Sequence, residues 1–167
     1  MSFLFHESLP TRISAAGRGD VQVLDCPVSG GVKGATEGTL TILASGPELA
    51  LQACTEVLNS MSKKLYMLPG GAGVASKLKM VNQLVVGCNI AAAAEAIAFA
   101  EKAGLDSRHV YDIVVKSPGH SWAFGDRVPH MLDSDWTPKS AVDIFVKDMV
   151  SRSMIGATHA DQSDRAS

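Results

Sequence analysis

The stretch LYMLPGGAGVASKLKMVNQLVVGCNIAAAAEAIAFAEKAG, residues 65–104, changes period partway along, and that change decides the fold. Leu65 to Leu68 is short, apolar and stopped by Pro69-Gly70-Gly71, which marks a strand running into a turn. From Val74 onward, Val74, Leu78, Val81, Val85, Cys88, Ala92 and Phe99 recur at steps of three, four or seven, the spacing of a helical face. The opposite face carries Leu84, Ile90, Ala94 and Ile97, so this helix is expected to be buried on most sides. Lys102-Ala103-Gly104 ends it with a basic residue and a C-cap glycine.

Upstream, Val21 to Asp25 alternates and meets Pro27, which predicts a short strand entering a loop. Ser29-Gly30-Gly31 and Gly34 predict a flexible loop, and Thr39 to Ala44, β-branched and apolar, a buried strand. Pro47 suits the first turn of a helix running to about Ser60. Downstream, Asp106 or Ser107 caps a helix through Val115, closed by Ser117-Pro118-Gly119. Ser121 to Leu132 and Ser140 to about Val150 read as two further helices, the second with Ala141, Ile144, Phe145 and Met149 on one stripe. The order strand, strand, helix, strand, then helices only, is that of a mixed sheet handing over to an all-α domain. The expected divisions are a poorly ordered segment 1–20, a sheet-bearing part 21–71, a helical domain 72–150 and a disordered tail 151–167.

With 46% apolar and 19% charged residues, the chain can bury a sizeable core. Its formal charge of −2 leaves no basic stripe for nucleic acid. The three cysteines, Cys26, Cys54 and Cys88, are widely spaced and show no pairing with histidine, so no metal site or disulfide framework is expected. Buried thiols in a reducing compartment are the simple reading. Asn82, Gln83, Asn89 and Glu95 inside the longest apolar run argue against a membrane span. A cytoplasmic location is expected, with the mitochondrion open as an alternative.

Gly70-Gly71-Ala72-Gly73, set between a strand and a helix, has the context of a dinucleotide fingerprint. Two features speak against it: Ser76 stands at the third glycine position, and no second strand follows to end in a ribose-binding acid. A tight turn or hinge between domains is the favoured reading.

Lys79, Asn82 and Gln83 lie at i, i+3 and i+4, on one face near the start of the long helix. A lysine and two amides on an apolar helix are costly to bury unless they meet partners or a ligand. Lys77 points elsewhere, and a snorkelling Lys79 is the plain alternative. Ser29-Gly30-Gly31 offers a hydroxyl and unhindered amides as a cradle for a carboxylate, or simply makes a turn. Lys147-Asp148 reads alone as a solvated pair, Trp122 and Phe124 as core, and His120 and His130 as surface residues.

Three segments together resemble the 3-hydroxyisobutyrate dehydrogenase family of β-hydroxyacid dehydrogenases. Asp25-Cys26-Pro27-Val28-Ser29-Gly30-Gly31, followed by Gly38-Thr39-Leu40-Thr41, resembles its substrate-binding segment. The run from Gly73 to Gln83 is similar to its glycine–lysine–asparagine catalytic motif, with Ala75 where a second glycine usually stands. Asp143 to Asp148 looks like its cofactor-contacting lysine motif. Gly119-His120-Ser121-Trp122 and Asp135-Trp136-Thr137-Pro138 look nearest to the L-threonate dehydrogenase branch, with His120 where asparagine is usual.

The resemblance implies the last strands of a Rossmann-type domain followed by a 6-phosphogluconate dehydrogenase-like helical domain. It implies hydride transfer between NAD or NADP and a small hydroxy acid such as L-threonate or 3-hydroxyisobutyrate. Lys79 would be the general acid–base, its pKa lowered by burial. Ser29, Gly30 and Gly31 would hold the substrate carboxylate, Asn82 and Gln83 would orient its hydroxyl, and Lys147 would contact the cofactor. A homodimer is expected, with neither nucleic acid nor membrane as partner. Nothing before Asp25 resembles the family's fingerprint, so the expectation is a chain truncated at both ends that binds NAD weakly on its own. The readings left open are a non-catalytic dimerisation or scaffold module, and a semialdehyde or glyoxylate reductase running the same chemistry backwards.

Overall fold

The computed structural model describes residues 12–13 and 15–137. The predicted helix from Ser140, Lys147-Asp148 and the polar tail lie outside the described residues. The chain divides into two compact units, one ending at Val81 and the other starting at Asn82.

The first unit is built on a three-stranded sheet of order β1-β2-β3, with β1 Val28–Ser29, β2 Leu40–Ser45 and β3 Ser62–Leu68. β1 runs antiparallel to β2, pairing Val28 with Ile42 and Ser29 with Thr41. β2 and β3 are parallel, and the connection between them is helix α2, Glu48–Ser60, as a parallel pair requires. Pro47 serves as the N-cap of α2 rather than as its first helical residue.

The apolar side chains that alternate on β2 meet the inner face of α2. Ile42, Ala44, Leu51 and Leu58 form the buried cluster, and Leu24, Cys26, Leu40, Cys54 and Leu65 pack around it. Burial of Ile42, Leu51 and Leu58 stabilises the unit by about 1.5–3 kcal/mol each.

Two expectations are corrected in this unit. Val21 to Asp25 is not a strand, because only Asp25 bridges the sheet, opposite Ser45. The ladder resumes at Val28, beyond Pro27, which has no N–H to give to it. The glycine-rich segment after Ser29 is not a loop throughout, since Gly31–Thr36 forms a short helix, α1. Gly34, buried beneath Leu40, leaves the room that this turn of helix needs.

Helix α3, Val74–Lys102, starts in the first unit and continues into the second. It ends in a Schellman motif: the Gly104 N–H donates to the Glu101 carbonyl at 3.0 Å and the Leu105 N–H to the Ala100 carbonyl at 2.9 Å. Gly104, at φ 76°, supplies the left-handed residue this motif needs. Two helices follow, α4 Ser107–Val114 and α5 Trp122–Leu132. The Asp106 and Ser121 side chains cap them by accepting from the His109 and Phe124 amides.

In the second unit Ala93, Ile97, Phe124 and Val128 form the core, with Val110, Tyr111, Val114 and Leu132 against it. Pro129 sits inside α5 and has no N–H for the carbonyl of Gly125. The Tyr111 hydroxyl of α4 donates to that carbonyl at 3.2 Å. The Tyr111 ring also stacks on Phe124, centroids 5.9 Å apart.

α3 is not buried on most sides. Ala75, Ser76, Ala93, Ile97 and Ala100 are buried, whereas Leu78, Val81, Val85 and Phe99 are exposed, Phe99 at 72%. An apolar pattern around a whole helix does not say which faces its own chain will cover, and the described residues of each unit cover one side. By length and composition α3 is long and apolar enough to cross a membrane, a property it shares with core helices of soluble proteins. Trp122, expected in the core, is 67% exposed at the start of α5, while its neighbour Phe124 is buried as expected.

Candidate active site

The start of α3 is held by side chains from distant parts of the first unit. A helix leaves its first amides without internal partners, and Gly73, the residue before Val74, has no side chain with which to cap them. Asp25 and Ser45 do so instead. The Gly73 and Ser76 amides donate to Asp25 Oδ2 at 3.1 and 2.8 Å. The Ser76 hydroxyl donates to Asp25 Oδ1 at 2.7 Å. The Ala75 amide donates to Ser45 Oγ at 3.0 Å, and that hydroxyl donates onward to Asp25 Oδ2 at 3.4 Å.

Asp25, Ser45 and Ser76 are all buried, Asp25 with 4% exposure. Asp25 and Ser45 also exchange backbone hydrogen bonds, 2.9 Å in each direction. Buried polar groups are stable only when satisfied, and this network satisfies each member.

The same network decides the reading of the glycine loop. Gly70, Gly71 and Gly73 take positive φ values, as a tight turn from β3 into α3 requires. The amides that would cradle a pyrophosphate are occupied by Asp25 and Ser45. This helix start therefore does not fit a dinucleotide phosphate, and Ser76, in the place of the third glycine, is one of the residues that closes it. Lys147, the other residue implicated in cofactor contact, lies outside the described residues.

The remaining predicted residues fall on two segments. Ser29 is half-buried at the end of β1, and Gly30 and Gly31 are exposed with φ values of 128° and 62°. They follow directly along the chain from the buried Asp25. Lys79 is half-buried on the second turn of α3, three residues beyond Ser76, whereas Lys77 is exposed. Asn82 is exposed and Gln83 half-buried, and the Asn82 amide donates to Gln83 Oε1 at 3.3 Å. Asn82 and Gln83 open the second unit, while Ser29, Gly30, Gly31 and Lys79 belong to the first.

Two electrostatic features lie apart from these residues. Burial pushes the Cys26 thiol above its ordinary value, reinforced by the neighbouring Asp25 and Cys54. Beyond α5, Asp135 is held down at about 2 by hydrogen bonds from Thr137 and His130. His130 Nδ1 lies 2.8 Å from Asp135 Oδ2 there.

Sequence reasoning quoted Asp25 within a motif and Ser76 at the third glycine position but gave neither a part in capping, and it did not single out Ser45. The available signal was an acid closing an alternating apolar stretch before a proline, and a serine between Ala44 and Gly46 at a strand end.

Comparison with known proteins agrees with this architecture. Residues 71–159 match the family model described as NAD-binding of NADP-dependent 3-hydroxyisobutyrate dehydrogenase. Residues 6–70 match the NAD binding domain of 6-phosphogluconate dehydrogenase. The sheet-bearing part is thus Rossmann-type and the helical part is of the dehydrogenase C-terminal type. Among curated relatives, L-threonate dehydrogenase of Cupriavidus necator is 46% identical over 145 residues, covering 87% of this chain and 48% of that protein. L-threonate dehydrogenase of Escherichia coli is 44% identical, covering 78% of this chain and 43% of that protein. The crystal structure of 3-hydroxyisobutyrate dehydrogenase from Salmonella typhimurium superposes with a TM-score of 0.77 at 38% identity, covering 90% of this chain and 53% of that one. The chain spans about half the length of the curated relatives it matches.

Proposed function

This chain belongs to the 3-hydroxyisobutyrate dehydrogenase family, whose cofactor is NAD or NADP, and we propose that it forms the substrate-side part of a hydroxyacid dehydrogenase acting on L-threonate or a similar small hydroxy acid. Lys79 is the general acid–base: it takes the proton of the substrate hydroxyl during oxidation and returns it during reduction. Ser29, Gly30 and Gly31 hold the substrate carboxylate, with the Ser29 hydroxyl and unhindered backbone amides as donors. Asn82 and Gln83 orient the hydroxyl, and Lys147 contacts the cofactor. The observation that carries this reading is a half-buried lysine on the second turn of a helix whose start is fixed by buried side chains. The 44–46% identity to L-threonate dehydrogenases favours a four-carbon polyol acid over a branched one.

The test is an NAD-linked absorbance assay of the purified chain with L-threonate and 3-hydroxyisobutyrate, run beside Lys79→Ala. Turnover on L-threonate that falls by about 10²–10⁴-fold in the variant supports the role of Lys79. Turnover that survives the substitution refutes it.

A second reading is favoured by Leu78, Val81, Val85 and Phe99, which leave an exposed apolar strip along α3. It is a homodimerisation or scaffold module without turnover, in which a second copy covers that strip. A dimer by light scattering together with no activity on any hydroxy acid supports it, and a monomer refutes it.

A further inference from the structure

We propose that Asp25 is a positioning residue for Lys79: its buried carboxylate clamps the first turn of α3 and so sets the lysine relative to the Ser29–Gly31 segment. The inference rests on the reading of Lys79 as the acid–base and concerns a residue to which that reading gives no part.

The geometry begins with what a helix start leaves free. Its axial and rotational setting is soft unless its first amides find fixed partners. Here three successive contacts, from the Gly73 amide, the Ser76 amide and the Ser76 hydroxyl, end on the two oxygens of a single side chain. Two oxygens at the end of a short, buried side chain define both how far α3 advances and how it is turned. Lys79 lies three residues after Ser76, on the adjoining part of the same face. A rotation of the first turn is therefore passed directly to the lysine.

The other end of the clamp is equally fixed. The Asp25 backbone is bridged to Ser45 at the end of the central strand by two hydrogen bonds of 2.9 Å. Four residues after Asp25 comes Ser29, registered against Thr41 on that same strand. One residue thus joins the segment proposed to grip the carboxylate to the helix that carries the proposed base. Gly73 contributes by being a glycine, since it leaves the capping to Asp25 and takes a φ of 102°.

A purely stabilising cap and a positioning clamp make different predictions. Removing a cap frays the helix end and raises the accessibility of Lys77 and Lys79 together. Removing the clamp changes Lys79 relative to Lys77, because the two point in different directions. The experiment labels the full chain with trinitrobenzenesulfonate and quantifies the modified Lys77 and Lys79 peptides by mass spectrometry, in wild type, Asp25→Asn and Ser76→Ala. Asp25→Asn keeps the shape of the clamp while replacing one acceptor with a donor. Ser76→Ala deletes one hydroxyl and keeps the charge.

We expect the Lys79:Lys77 labelling ratio to change by about threefold or more in both variants. Where the wild type turns over hydroxy acid, we expect kcat to fall by about 10- to 100-fold with KM changed far less, as a small misplacement of a catalytic group produces. If Asp25→Asn unfolds, Ser76→Ala carries the test. An unchanged labelling ratio in a folded variant overturns the proposal, whatever the activity. Absence of turnover in wild type counts against the dehydrogenase reading alone, and the labelling ratio still decides whether Asp25 orients Lys79.

Discussion

Replacing Ser45 with alanine tests how firmly the start of α3 is held. The serine is fully buried, and its oxygen accepts from the Ala75 amide at 3.0 Å. The substitution removes that bond and strands a buried N–H, since Ala75 is itself fully enclosed. A net hydrogen bond contributes about 0.5–1.5 kcal/mol, and leaving its buried partner unsatisfied costs about 1–3 kcal/mol. The 3.4 Å contact to Asp25 is long and adds little. Loss of a serine cap at an ordinary helix start costs about 0.5–2 kcal/mol, which converges on the same range. The expected destabilisation is about 2 kcal/mol.

Urea unfolding followed by circular dichroism would read this as a lower midpoint at unchanged slope. Thermal melting would read it as a fall of about 4–8 °C for a chain of this size. Hydrogen exchange adds a local check, because the Ala75 amide should lose protection while the amides in the middle of α2 should not. A midpoint unchanged within error, with Ala75 still protected, would refute the reasoning, because it would mean that another acceptor replaces Ser45.

Three further outcomes follow from the geometry. Gly46→Ala should destabilise the first unit by about 1–3 kcal/mol, because φ is +156° and an added Cβ would come within 2.6 Å of Leu24 Cδ2 and 3.0 Å of the Val23 carbonyl oxygen; urea unfolding measures it. Asp135 should titrate near 2 when its carboxyl carbon is followed by NMR, and Thr137→Ala should move it toward the ordinary carboxylate range. Because its folded value is depressed, what this group adds to stability is present above its unfolded value near 3.8 and is lost as pH falls through about 2. Cys88, which is exposed, should react with Ellman's reagent ahead of Cys26, whose thiol is raised by burial and by its neighbours Asp25 and Cys54; Cys88→Ser should delete the fast phase.

The extent of α3 was legible because both of its boundaries are local: a glycine-rich turn before Val74 and a Schellman glycine after Lys102. β2 and α2 were legible for the same reason, and of the two cap candidates Asp106 and Ser107 it is Asp106 that caps α4, whereas Ser121, expected as the first residue of its helix, is the N-cap of α5. Asp25 was not. Its partners lie 48 and 51 residues away, and no periodicity links an acid after one apolar stretch to the amides of a distant helix. Trp122 was misread because size and hydrophobicity favour the core, whereas its position beside a capping serine turns it outward. The exposed strip on α3 was illegible in another way: the sequence shows that Leu78 and Phe99 are apolar but not what packs on them. Lys79, Asn82 and Gln83 drew notice by type and spacing, as polar side chains on one face of an apolar helix, whereas the roles proposed for them, for Ser29-Gly30-Gly31 and for Lys147 came from the resemblance to the family.

The proline in α5 has a consequence for how the second unit assembles. With Gly125's carbonyl deprived of its usual donor, α5 cannot complete its own hydrogen bonding, and the phenol that does so belongs to α4. An isolated α5 would leave that oxygen to water, so the turn that begins at Gly125 becomes dry only as the neighbouring helix arrives. The two helices should therefore gain protection together in a refolding experiment, as one cooperative step, and Tyr111→Phe should uncouple them while leaving the ring stack in place.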